Sequence, residues 1–203
     1  MTMMNNRLDM ERDARLVAVI GDGFANMSSL LLSSIPHTRL ILVNLTKTLL
    51  LDLVYLRKAF PDENIALVQN ADDMKEALTS NDMRIIAVRA DDMHILAQVP
   101  VTLGINIKSM MEMDPSVTAA YFDVLRKGPA DRTAFYCCNV DKKFWADGTV
   151  ISFSEYPWHE KDKILLDESC PWDQYRYHRQ FPFYSKFKGL NLHRLVYLNK
   201  QIL

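Results

Sequence analysis

The chain has 203 residues, 49% of them hydrophobic and 24% charged, with a formal net charge of −1. That balance belongs to one globular domain over 1–203, large enough to bury a real core. A charge so near neutral gives no reason to expect nucleic acid or an anionic membrane surface as a partner. Cys137, Cys138 and Cys170 match neither zinc-ligand spacing nor a secreted disulfide framework, so a cytoplasmic setting is expected.

From the amino end, Met1 to Ala14 is polar and mixed in charge, without the apolar run of a signal peptide. Leu16-Val-Ala-Val-Ile20 then runs into Gly21-Asp22-Gly23, the pattern of a buried parallel strand entering a tight turn. Phe24 to Ile35 places Met27, Leu30, Leu31 and Ser34 at helical spacing, and Pro36 marks the stop. Leu40-Ile-Leu-Val43 follows as a second strand ending at Asn44, which completes a βαβ unit. Such a unit sets a helix N-terminus beside a ligand at the carboxyl end of the sheet.

Gly21-x-Gly23-x-x-Asn26 lacks the third glycine of a dinucleotide fingerprint. Asp22 puts a carboxylate where a pyrophosphate needs positive potential. S-adenosylmethionine has no phosphate and carries a sulfonium and an ammonium group, so it suits that position better. Ile20, Gly21, Asp22 and Gly23, with Asn44 and Leu45 after the second strand, are therefore the expected cofactor residues. Asn44 stands where an acid for the ribose hydroxyls is expected; its amide hydrogen-bonds without charge assistance. The competing reading is that Gly21-Asp22-Gly23 is only a turn.

Lys47 to Phe60 predicts a helix with Leu49, Leu53, Leu56 and Phe60 on one face, and Pro61 ends it. The window Leu40 to Leu56 is the most hydrophobic, but Asn44, Lys47 and Asp52 interrupt it and no membrane span is expected. Ile65 to Val68 and Arg84 to Val88 read as strands, with a short helix over Asp72 to Leu78. After the second of these strands, Ala90 and Asp91 either meet the cofactor's adenine or cap the next turn. Val101 to Met113 predicts a further strand that delivers Asn106, Ser109 and Glu112 to the crevice. Asp114 and Pro115 start a helix, and Gly128-Pro129 stops it. Ala134 to Val140 and Thr149 to Phe153 are expected as strands flanking a turn at Asp147-Gly148.

Several stretches together resemble the sugar O-methyltransferases, a Rossmann-like family that uses S-adenosylmethionine. They are Ile20-Gly21-Asp22-Gly23-Phe24, Asn44 to Leu49, Asn106 to Met113, Phe135 to Asn139, Tyr156-Pro157-Trp158, Asp167 to Trp172 and His193-Arg194-Leu195. The resemblance covers nearly all of the chain from about Arg15. It departs at Asp173, where histidine is expected, and at Met111, where glutamine is common. It implies a class I methyltransferase fold, α/β with a mostly parallel central sheet, flanking helices and an antiparallel C-terminal strand. It also implies methyl transfer to a sugar hydroxyl.

Between Glu155 and Leu190 lie nine of the chain's twenty aromatics, broken by Pro157, Pro171 and Pro182 and interleaved with charged groups. A long irregular segment of this kind is usually functional. Rings with polar neighbours suit a small-molecule or glycan sugar acceptor, which makes 155–190 the expected substrate side and Tyr156, Trp158, Trp172 and Arg194 the expected contacts. The bland alternative is a loop pinned by buried rings. Leu192 to Asn199 reads as the final strand.

A sugar hydroxyl is a poor nucleophile, so a positioned base is needed. His159, His193 and Glu112 are the candidates, with Asp162 behind them. No cluster has the spacing of a metal site. Two rivals stand beside the methyltransferase: a catalytically silent Rossmann-like scaffold and a dinucleotide-dependent oxidoreductase. Composition does not define the oligomeric state.

Overall fold

The computed structural model describes Met4 and residues 6–200; the outermost parts of the expected 1–203 domain, residues 1–3, 5 and 201–203, lie outside the described residues. After a short helix α1 (Met10–Asp13), the apolar run becomes β1 (Leu16–Ile20), buried along its whole length. Then come α2 (Asn26–Ser34), β2 (Arg39–Asn44), α3 (Thr46–Ala59), β3 (Asn64–Val68), α4 (Ala71–Thr79) and β4 (Met83–Arg89). A 3-10 segment (Ala90–Gln98) leads to β5 (Leu103–Ile107), and a second one (Met110–Glu112) to α5 (Pro115–Lys127). Asp114 caps α5 by accepting from the Ser116 N–H at 2.8 Å, with proline at the first turn.

The remaining strands are β6 (Ala134–Val140), β7 (Lys142–Phe144), β8 (Val150–Ser152), β9 (Lys163–Ser169), β10 (Tyr175–Tyr177), β11 (Tyr184–Lys186) and β12 (Asn191–Tyr197). Among the described residues, eight of the twelve strands form one sheet in the order β3-β4-β2-β1-β5-β6-β12-β9. The pairs from β3 to β6 are all parallel, whereas β12 runs antiparallel to both β6 and β9. This is the expected Rossmann-like α/β architecture with its antiparallel C-terminal strand.

Strand side chains alternate between two apolar layers. Val17, Val19, Leu40, Leu42 and Tyr136 meet Leu31 of α2 and Leu49 and Leu56 of α3. Ala18, Ile20, Ile41, Val43 and Phe135 meet Met74 of α4, Leu96 and Tyr121, Phe122 and Leu125 of α5. Because both faces are covered, the central strands read as continuous apolar runs.

Two expectations change. The strand at Thr149–Phe153 does not pair with 134–140; β8 pairs with β7, Lys142 opposite Ser152. β6 is held by β5 on one side and β12 on the other, so no ladder edge is left for it. The segment 155–190 is not irregular throughout, because β9 is the edge strand of the main sheet and β10 pairs with β11 in a separate arm. Only Leu166 of β9 is buried, and its apolar residues Ile164, Leu165 and Leu166 run together without the alternation of a half-buried strand.

Candidate functional site

At the carboxyl ends of β1, β2, β4 and β5 lies a cavity of about 400 Å³, within the usual range for small-ligand sites. Gly21, Gly23, Asn44, Leu45, Ala90 and Glu112 all line it, so the structure brings these six expected residues together. Val43, Thr48, Lys108, Ser109, Met113, Val117 and Tyr121 complete the wall. Most of this surface is apolar, with polar groups gathered at the glycine turn and around Lys108 and Glu112.

The turn departs from ordinary backbone geometry. Gly21, Gly23, Phe24 and Ala25 all have positive φ, at 70°, 65°, 107° and 52°. For Phe24 and Ala25 this costs roughly 1–2 kcal/mol each. Asp52 offsets it. Its Oδ1 accepts from the N–H groups of Phe24 at 2.7 Å and Ala25 at 3.0 Å, and its Oδ2 from Asn44 Nδ2 at 2.9 Å. Asp52 is 0% exposed, and burial raises its pKa above the usual carboxylate range although the bonds from Asn44 and Ala25 pull the other way. In the sequence Asp52 stands only as a charge interrupting the apolar window Leu40 to Leu56, with no role at the turn. The signal was an acid between Leu49 and Leu56 on the apolar face of α3. Asp52→Ala is expected to lower unfolding free energy by about 2–4 kcal/mol, since buried donors lose their acceptor. Urea unfolding checks it, and a loss under 1 kcal/mol () would mean the turn holds itself.

Asp22 corrects an expectation. Its carboxylate does not face the cavity mouth; it accepts from the Met27 and Ser28 N–H groups at 2.8 Å each and so caps α2. Asn44 is committed as well, giving its Nδ2 to Asp52 and taking the Leu45 N–H on Oδ1 at 2.9 Å. It therefore positions Asp52 instead of offering a free amide for ribose. Asn106 is 0% exposed; its Nδ2 donates to the Ile20 carbonyl at 3.0 Å, and its Oδ1 accepts from Asn139 at 2.9 Å. It braces β1 against β5 from behind the cavity. Ser109 Oγ also donates to the Ile20 carbonyl, at 3.0 Å. Asp92 pairs with Arg89 at 2.7 Å, while the charge of Asp91, after burial, helps push the Tyr121 hydroxyl up to about 12.

The histidines stand apart from the cavity. His159 lies in the turn before Asp162, which accepts from the Asn199 N–H just beyond β12, at the amino-terminal end of the parallel strands. That is the opposite end of the sheet. His193 is 0% exposed within the α2-side layer, its Nδ1 3.1 Å from the Tyr136 hydroxyl and its Nε2 3.5 Å from Glu168. Burial lowers its pKa, against the pull of Glu168. Both placements remove the two histidines from base chemistry at this cavity, and Glu112 alone of the three candidates borders it.

Tyr156, Trp158 and Arg194 form a packed cluster, not a face open to a sugar. The Trp158 ring stacks edge-on to Phe122 at 4.9 Å, its Nε1 donates to the Phe153 carbonyl at 2.9 Å, and the Arg194 guanidinium lies 4.6 Å from it. Arg194 also donates to Asp167 at 2.6 Å. Trp172 is 78% exposed on the arm side of the molecule. Among the described residues, no three His, Cys, Asp or Glu side chains stand together as a metal site, and no helix is long and apolar enough to cross a membrane.

No protein-family model matches the sequence, and no curated protein matches it in sequence. Solved structures do match in fold. A Galdieria sulphuraria protein described as a sarcosine dimethylglycine methyltransferase aligns with 98% of this chain and 86% of its own, at 9% identity and TM-score 0.61. The PH0226 protein of Pyrococcus horikoshii aligns with 97% and 86%, at 12% identity and TM-score 0.55. An O-methyltransferase family 2 protein of Planctomyces limnophilus, solved with apigenin, aligns with 93% and 51%, at 10% identity and TM-score 0.53. The chain thus spans about half the length of that last neighbour. The shared property is the Rossmann-like fold of class I methyltransferases.

Proposed function

We propose that this chain is an S-adenosylmethionine-dependent O-methyltransferase acting on a hydroxylated small molecule, and in the finer form of the reading on a sugar. One observation carries it. Asp22 and Asp52 occupy the N–H groups of Phe24, Ala25, Met27 and Ser28, the donors with which a glycine turn and helix start would hold a pyrophosphate. A nucleoside cofactor without phosphate fits a turn already filled by carboxylates; a dinucleotide does not. Val43, Leu45, Ala90 and Tyr121 give the apolar walls for an adenine, and Lys108 gives a cation for the carboxylate of an amino-acid end.

Bound there, S-adenosylmethionine supplies an activated methyl group on sulfonium. The chain's part is to hold the acceptor oxygen in line with it and to take the hydroxyl proton, for which Glu112 is the carboxylate at the rim. Residues 1–203 form one methyltransferase domain in this reading; of the segment 155–190, the part around the β10–β11 arm stands on the substrate side, while the 157–162 turn lies at the other end of the sheet. Cys137, Cys138 and Cys170 are free and buried, which agrees with a reducing cytoplasm.

A silent binding protein is the second reading. It is favoured by the commitment of Asn44 to Asp52 and by the distance of His159 and His193 from the cavity. Isothermal titration with S-adenosylmethionine, its demethylated product and NADH separates the cases. Saturable binding of the first two is expected, lost in Val117→Trp, where a ring fills the cavity from a partly exposed position of α5 with the unfolding midpoint retained. Binding of NADH alone would overturn the proposal. Cofactor binding without turnover on any hydroxylated acceptor would favour the scaffold.

A further inference from the structure

Beside the cofactor cavity lies a second one of about 370 Å³, between the ends of β5 and β6, the β7 strand and the β10–β11 arm. Lys108 borders both cavities. Lys108, Lys142, Lys143 and Arg176 line the second cavity against a single carboxylate, Asp173. In a chain of net charge −1 that concentration of cations is a local feature, not a reflection of composition.

Two of the cations are already paired, Lys108 with Asp173 and Lys143 with Glu112 at 2.8 Å. Among the described residues, Lys142 and Arg176 have no carboxylate within ion-pair distance. The Arg176 guanidinium instead lies 4.5 Å over the Phe187 ring, which holds its donor edge in place. Phe144 adds a second aromatic wall. Asn191 also borders the cavity; it is 2% exposed, its Nδ2 donates to the Asp173 carbonyl at 2.8 Å, and its Oδ1 has no partner. A buried acceptor without a donor is costly, and a ligand hydroxyl would satisfy it. Lys108 adopts a positive φ of 58° to stand between the two cavities, an unusual conformation for a lysine.

We propose that this second cavity is the acceptor site and that it selects an anionic, hydroxyl-bearing molecule such as a uronate or a sugar phosphate. Lys142 and Arg176 bind the anion, Phe187 and Phe144 cover the C–H faces, and Asn191 takes a hydroxyl. The adjoining cofactor cavity makes this an acceptor site only if the methyltransferase reading holds; the anion preference itself does not depend on it.

The test is calorimetric titration of the full chain with glucuronate, glucose 6-phosphate, inorganic phosphate and glucose, with S-adenosylmethionine's demethylated product present and absent. At least one sugar anion is expected to bind about tenfold or more tighter than glucose, and the advantage should shrink with added salt. Glucuronate favoured over glucose 6-phosphate identifies a carboxylate acceptor, and the reverse a phosphate one. The double variant Lys142→Gln/Arg176→Gln should erase the preference while leaving binding of the demethylated product unchanged. Equal binding of glucose and the anions, no binding of any anion, a preference for inorganic phosphate alone, or a preference kept in the variant would each overturn the proposal. Anion preference without any cofactor binding would instead sink the methyltransferase reading and leave an anion site.

Discussion

Gly21→Ala is expected to weaken S-adenosylmethionine binding by more than about thirtyfold, through loss of the cavity's shape (). The residue sits at φ +70°, and a Cβ there would lie 2.2 Å from Ser109 Oγ and 2.5 Å from Ser109 Cβ. The left-handed backbone alone costs an alanine about 1 kcal/mol, and forced overlap in a packed site adds about 1–3 kcal/mol. Ser109 has little room to yield, because its Oγ bonds the Ile20 carbonyl and Asn106 bonds both that carbonyl and the Met110 N–H. Shifting Ser109 therefore moves the ends of β1 and β5 together, and with them the floor of the cavity. Removing the obstructing side chain in Gly21→Ala/Ser109→Gly should recover part of the affinity. Titration calorimetry on the three proteins reads this directly. Unchanged affinity in the single variant would show that the turn moves freely and that its close approach to Ser109 is unimportant.

The contrast between Gly21 and Asp22 shows what sequence conveys at such a site. The strand-glycine-helix-strand pattern placed β1, α2 and β2 because continuous apolar runs and a glycine turn are local features. The direction of the Asp22 side chain is not local. It depends on whether the free N–H groups of α2 find another acceptor, and Asp52, twenty-eight residues beyond Phe24, takes some and leaves Met27 and Ser28 to Asp22. Asp52 was visible as an acid on an apolar helix face, but its partners were not. The aromatic segment divides in a similar way. Tyr156 and Trp158 pack under α5, while Trp172, Tyr177 and Phe181 stand in solvent, and ring content alone does not separate these cases. The histidines misled for a further reason: His159 lies just before β9, and β9 begins at the amino-terminal end of the parallel strands, opposite Tyr197 at the end of β12.

At that opposite end, breaking the Arg126–Asp162 pair should cost about 3–5 kcal/mol, since one buried charge is left without the other (). The two side chains are 7% and 2% exposed, and the guanidinium meets both carboxylate oxygens, at 2.6 and 2.8 Å. Arg126 also donates to the carbonyls of Asn199 and Pro157, each at 3.0 Å, while Asp162 accepts from the N–H groups of His159 and Asn199. The pair thus ties the last turn of α5, the 157–162 turn and the end of β12 to one another. Burial by itself would raise the Asp162 pKa, but the bonds from Arg126 and the two N–H groups outweigh it and hold the carboxyl below its usual range. A depressed folded pKa means the unfolded chain takes up the proton first on acidification. The contribution is therefore fully present above the ordinary carboxylate range and is lost as pH falls toward the folded value. In Asp162→Asn the deficit measured by urea unfolding should be largest near neutral pH and should narrow in acid, where the wild-type carboxylate is itself neutralised. S-adenosylmethionine affinity should stay unchanged while the variant is folded, because the pair lies at the other end of the strands from the cavity. A deficit that does not vary with pH would mean that packing around Arg126, and not its charge pairing, holds this corner.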